Sequence, residues 1–246
     1  MTDQSAIAAL QAENARLIAL LEAHDIEWRP PQPAVRVARE PESSRFSTAE
    51  KVTLFRRLFR GRIDVFPIRW EGKTSGKSGY APACANEWRA GLCEKPRIKC
   101  GDCTNRLLIP LSDAVIYDHL AGKHTVGVYP LLEDDTCYFL AADFDEADWR
   151  DDSLAFMQSC EELGVPAALE ISRSGNGAHV WVFFASRVSA RDARRLGTAI
   201  ISHTCSRTRQ LKLGSYDRLF PNQDTMPKGG FGNRFCRVSN LRSRSA

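Results

Sequence analysis

Hydrophobic and polar positions change rhythm several times along the 246-residue chain. Residues 5–24 place Ile7, Leu10, Asn14, Leu17, Leu21 and His24 at steps of three and four. That spacing predicts an amphipathic helix within residues 1–28, either packed on its own domain or paired with a second copy. In the paired case Leu10 and Leu17 fall at d and Asn14 at a, the pattern of a parallel two-stranded coiled coil and a homodimer. Residues 29–46 carry proline and charge with no apolar period and read as a linker. A domain covering residues 47–246 then opens on a helix capped at Ser47, with Val52, Leu54, Phe55, Leu58 and Phe59 on one side and an end at Gly61. Residues 137–146 read CYFLAADFDE, an apolar run of strand length that finishes in two aspartates. Residues 167–184 predict two strands joined by a turn at Ser174, Gly175, Asn176 and Gly177, and a mostly basic helix follows from about Ala190 to Leu211.

Composition narrows what such a chain can be. With 43% hydrophobic and 26% charged residues it can bury a sizeable core. No apolar stretch reaches the ~20 residues of a membrane helix, and the N-terminus lacks the pattern of a secretory signal. We therefore expect a cytoplasmic protein with no membrane partner. A net charge of +4 is compatible with a polyanionic partner. The basic residues Arg56, Arg57, Arg60 and Arg62 fit either phosphate contacts or a solvated helix face.

Eight cysteines in a reducing compartment argue for metal rather than disulfides. Cys84, Cys93, Cys100 and Cys103 lie within residues 80–106, in polar sequence with little core to bury them. Cys100 and Cys103 have the two-residue gap of a zinc knuckle, while Cys84 and Cys93 are more widely spaced; together the four predict a structural zinc module. Cys137, Cys160, Cys205 and Cys236 stand in apolar or helical surroundings and read as packing residues.

In a strand, Asp143 and Asp145 project to one side while Phe144 points to the other. Two neighbouring carboxylates repel unless a divalent cation lies between them, and hard oxygen ligands suit Mg2+ or Mn2+ carrying substrate phosphates. The pair therefore reads as a platform for phosphoryl or nucleotidyl transfer. Arg173, Ser174 and His179 surround the Gly-rich turn as donors to phosphate oxygens. Asp217 and Asp224 are candidates for a third metal ligand, and Lys228 with Gly229 and Gly230 for a closure over phosphates.

Taken together, DFD at 143–145, SRSGNGAHVW at 172–181 and the late aspartate in FPNQD resemble the three motifs of the archaeo-eukaryotic primase superfamily, the primase-polymerases. The resemblance runs from about residue 47 to 234 and is closest to the primase domain of the TOTE conflict systems and to CRISPR-associated primase-polymerases. It implies an α+β fold: an RRM-like catalytic core preceded by a small α/β unit, with the zinc-binding insertion and N-terminal helix added. The implied activity is two-metal nucleotidyl transfer on a DNA template from nucleoside triphosphates, as a DNA primase or polymerase of a mobile-element conflict system. Asp143 and Asp145 would bind the metals, with Asp224 favoured as third ligand and Asp217 the alternative. His179 would meet the incoming phosphates, with Arg173, Ser174 and Lys228 as further nucleotide contacts. Helicase and nuclease components are the expected companions.

The polar tail RFCRVSNLRSRSA departs from relatives that continue with an apolar strand, so a C-terminally truncated domain is one expectation. Two other functions remain in view. One is a catalytically inactive, zinc-stabilised nucleic-acid-binding module. The other is a phosphohydrolase or nuclease on the same carboxylates, disfavoured because Glu146 and Ala147 follow the second aspartate where a dehalogenase-type phosphatase would want a small residue and then threonine or valine.

Overall fold

The computed structural model describes residues 3–24, 46–72, 76–145, 147–172, 175–207 and 214–232. The predicted linker, Arg173, Ser174, Cys236 and the polar tail fall outside them, the linker save for Phe46. Two units are distinguished, Met1–Arg45 and Phe46–Ala246. In the first, helix α1 (Asp3–Ala23) covers the predicted heptads, with Leu17 and Leu20 exposed. The side chains of Ile7 and Leu10 are outside the described set, and the single chain leaves the coiled-coil pairing as an expectation.

The second unit begins with α2 (Thr48–Leu58). Ser47 Oγ accepts from the Glu50 backbone N–H while the Glu50 side chain accepts from Ser47 N–H, the reciprocal capping box read from the sequence. Strands β1 (Pro67–Glu71) and β2 (Ser78–Pro82) form an antiparallel pair, and α3 (Asp113–Leu120) follows a loop-rich stretch that carries the four clustered cysteines. Phe66, Ala83 and Val126 make a small core here, with Ile68, Leu111 and Val115 packed against it. These elements precede the main sheet in the chain.

The main sheet is built from β3 (Thr136–Asp145), α4 (Trp149–Glu162), β4 (Ala168–Ile171), β5 (Gly177–Ser189), α5 (Ala190–Arg207) and β6 (Tyr216–Phe220). Its four strands are antiparallel in the order β4-β5-β3-β6. A β-α-β-β-α-β succession with the first and third strands central is the split arrangement expected of an RRM-like core. Alternation along β3 gives the sheet two faces. Leu140, Ala142 and Phe144 join Phe156, Cys160 and Ile200 beneath α4 and α5. Phe139 and Ala141 join Trp181 and Phe220 on the opposite face, where Phe55 of α2 and Phe59, just past its end, pack against them. The Phe59 ring meets Trp181 edge-on at 4.8 Å between centroids. Among the described residues, no helix is long and apolar enough to cross a membrane.

Candidate active site

Because β3 is central and buried on both faces, its last residues are held rigidly where they leave the core. Phe144 is fully buried on the helix side, so Asp143 and Asp145 project from the opposite face, the first partly buried and the second exposed. The predicted geometry of the pair is present. Gly177 is the partner of Asp145 across β5. A Cβ there would collide with Asp145 Oδ1 and come within 2.7 Å of the Phe144 carbonyl, so the absence of a side chain makes the space the carboxylate occupies.

His179 pairs with Asp143 across the same two strands. Its Nε2 lies 3.3 Å from Asp143 Oδ1 and its Nδ1 3.4 Å from Glu170 Oε2 on β4. Burial pulls the imidazole pKa down, but the hydrogen bonds to Asp143 and Glu170 outweigh it and take the ring up to about 9. A doubly protonated ring donates to both carboxylates. Glu170 also accepts from Trp181 Nε1 at 2.9 Å. This glutamate was not among the sequence candidates, although counting pairs back across the predicted hairpin sets residue 170 opposite residue 179.

Of the two late aspartates, β6 places Asp217 nearer Asp143. Asp217 lies at a register shift in β6, between Tyr216 opposite Phe144 and Arg218 opposite Asp143. Its carboxylate accepts from Arg218 Nε at 2.6 Å. That hydrogen bond holds the Arg218 guanidinium above its usual range, with burial opposing and the charges of Asp217, Asp143 and Asp145 adding to the rise. Asp224, the favoured candidate, is elsewhere. β6 runs antiparallel to β3, so the chain leaves the strand at Phe220, opposite Ala141, heading away from Asp143. Met226 N–H reaches Asp135 Oδ1, at the start of β3, and Asp224 accepts from Arg194 Nη1 at 2.5 Å on α5. From Asp135 to Asp143 an extended chain spans roughly 25 Å.

Lys228 shares that distant end. It lines a cavity of about 270 Å³ with Arg62, Arg106, Glu133 and Phe231, away from the Asp143 pair. The same end holds a larger groove of about 770 Å³ between α2 and the start of β3, lined by Arg57, Arg60, Arg62, Tyr138 and Arg187 among others. Arg60 lies over the Tyr138 ring at 3.9 Å and donates to the Phe184 carbonyl at 2.9 Å.

Cys84, Cys93, Cys100 and Cys103 all line one cavity of about 20 Å³. Leu107 N–H donates to Cys84 Sγ at 3.3 Å, the kind of bond that supports a thiolate ligand. Their sulfurs do not converge: among the described residues, no three His, Cys, Asp or Glu side chains form a ready group for a metal ion. Four soft donors around one small space still suit zinc in kind. The same holds for Asp143, Asp145 and Asp217, which share one end of β3 without forming such a group; their hard oxygens suit Mg2+ or Mn2+ in kind, and the exposed Asp145 leaves room for waters and substrate beside it.

Comparison with known proteins completes the picture. No curated protein matches the chain. The polymerase domain of Mycobacterium tuberculosis ligase D, solved in complex with DNA, is 15% identical, with a TM-score of 0.43 over 67% of this chain and 61% of its own. The chain thus spans less than two thirds of that protein's length. The family model of the TOTE conflict system archaeo-eukaryotic primase domain matches residues 50–235, which include β3, the Gly-rich turn and β6. The chain therefore belongs to the archaeo-eukaryotic primase domain family of the TOTE conflict systems.

Proposed function

We propose that this chain is a metal-dependent nucleotidyltransferase of the primase-polymerase kind, adding nucleotides to a nucleic-acid strand along a DNA template. The observation that carries the reading is the juxtaposition of Asp143, Asp145 and Asp217 at one end of the central strand, inside a chain of this family. Asp143 and Asp145 would hold Mg2+ or Mn2+, with Asp217 in place of Asp224 as third ligand. Bound there, the ions would lower the pKa of the attacking 3′-hydroxyl and offset charge on the α-phosphate and pyrophosphate.

The protein's own part is placement. β3 fixes the two carboxylates on one face, and Gly177 leaves room for the second. His179, with Glu170 behind it, presents a cationic ring beside Asp143, where it can donate to a phosphate oxygen of the nucleotide. Holding these groups before substrate arrives removes reorganisation from the reaction, so positioning and electrostatics supply most of the rate.

Cys84, Cys93, Cys100 and Cys103 would close on Zn2+ as a structural cross-link. Arg106 ties that segment to the loop after β6, donating to the Gly101 and Gly229 carbonyls at 3.0 and 3.1 Å. The basic groove and Lys228 are proposed contacts for template phosphates rather than for the reacting triphosphate. We extend the proposal to a role within a conflict system, beside helicase and nuclease components; the family match supports it.

Primer extension and unprimed synthesis on single-stranded DNA, with Mg2+ and then Mn2+, test the proposal. Product from the wild type that vanishes in D143A/D145A supports it. DNA binding without any product, from a folded wild type, would favour the inactive binding module instead.

A further inference from the structure

Asp152 is a carboxylate only 1% exposed, on the first turns of α4 beneath the sheet. Leaving a charge in such a place is costly unless it is well hydrogen-bonded. Its Oδ2 accepts from both the backbone N–H of Ser215, at 3.1 Å, and the Ser215 hydroxyl, at 2.7 Å. The Ser215 carbonyl in turn accepts from Asp145 N–H at 2.8 Å. A single buried carboxylate thus fixes the residue that closes the last rung between β3 and β6.

Two residues later stands Asp217, at the register shift between the Phe144–Tyr216 and Asp143–Arg218 pairs. An extra residue in one strand is held only by the rungs on either side of it, and a slip of one position would carry its side chain to the other face. On one side the Asp143–Arg218 pair is flanked by the rest of the ladder. On the other side Ser215 is the end of the strand, where fraying would otherwise begin. We propose that Asp152 is a positioning residue for the candidate metal site: through Ser215 it pins the start of β6 so that Asp217 is kept at the Asp143 and Asp145 end of β3.

This proposal rests on the metal-binding reading above, and the test separates the two. Mn2+ affinity is measured on the full chain without nucleotide or DNA, by electron paramagnetic resonance titration, alongside thermal melting. D143A/D145A should abolish binding; unchanged affinity there would overturn the metal reading and this proposal with it. With that reading intact, D152A should weaken Mn2+ binding about 10- to 100-fold, as removing a group that supports metal ligands does. D152N keeps an oxygen that can accept both Ser215 bonds, and should restore affinity to within about threefold of wild type. A folded D152A that binds Mn2+ as the wild type does, or a D152N as weak as D152A, would overturn the proposal. If D152A does not fold, S215A decides: it removes one of the two bonds and should weaken Mn2+ binding measurably, whereas wild-type affinity in S215A would overturn the proposal.

Discussion

The two ends of β3 carry similar numbers of carboxylates and treat them in opposite ways. At the start of the strand, four acids sit beside arginines: Asp134 meets Arg187 at 2.7 Å, Asp224 meets Arg194 at 2.5 Å, and Asp64 and Glu133 share the buried Arg62. At the far end, Asp143, Asp145, Asp217 and Glu170 gather around one arginine and one histidine. With Arg57, Arg60, Arg106 and Lys228 also lining the two cavities there, the first end has cations to spare, and the second is short of positive charge. What makes a carboxylate a candidate metal ligand is the charge its neighbours leave uncompensated, and a count of aspartates cannot show that.

The sharpest way to break this comparison is to remove the acidic end. D143A/D145A should lower nucleotide incorporation by at least about 10³-fold, because several kcal/mol of charge stabilisation goes with the ions. Single-turnover extension at saturating DNA is the measurement, and residual synthesis near the wild-type rate would place the chemistry elsewhere. The next largest effect separates the late aspartates. D217A should cost about 10²-fold in incorporation, and D224A, which loses a half-exposed ion pair, should stay within about twofold. The reverse order would return Asp224 to the site and undo the assignment of the two ends.

A third experiment asks whether the cysteine segment serves the basic end alone. Arg106 joins it to Gly229 and lies over Phe231 at 5.2 Å, both at the end of the domain away from Asp143 and Asp145. Metal analysis of the purified protein should find zinc, and C100S should lose it together with some thermal stability. We expect C100S to weaken DNA binding while leaving Mn2+ affinity at Asp143 and Asp145 within about threefold, since sites this far apart without shared partners act nearly independently. Equal losses at both sites would mean that the segment supports the whole domain.

Much of this was legible in the chain because it is local. The capping box of α2 needs only Ser47 and Glu50, and the side to which Asp143 and Asp145 project follows from strand alternation around Phe144. The hairpin that folds β5 back along β4 is announced by its glycines, whereas the pairing of His179 with Asp143 joins β5 to the distant β3. What was not legible depends on pairing between distant segments. Asp217 and Asp224 are seven positions apart in one polar stretch, and nothing local says that β6 runs back along β3 and carries only the first toward the pair. The same reversal moves Lys228 to the far end. Glu170 reads in sequence as an ordinary edge-strand acid until His179 and Trp181 are found across from it. The four cysteines line one cavity, but the convergence of their sulfurs depends on a bound ion's own pull as well as on the chain.

The smallest expected effect is the one that tests the basic end directly. If Lys228 meets a template phosphate, K228A should weaken DNA binding only a few-fold at moderate salt and leave the incorporation rate at saturating DNA unchanged. Its signature would lie in the salt dependence: removing one phosphate neighbour should lower the slope of log K against log salt by about 0.7 to 0.9. Binding titrations of wild type and K228A across a range of salt would show it. If Lys228 instead met the triphosphate, the slope for DNA would not move and the KM for the nucleotide would rise. Arg62 and Arg106 line the same cavity and both donate toward the loop that bears Lys228, so this end is preorganised by the chain's own ion pairs and carbonyls. An end with cations to spare can grip a phosphate backbone without recruiting the divalent ions that the acidic end calls for.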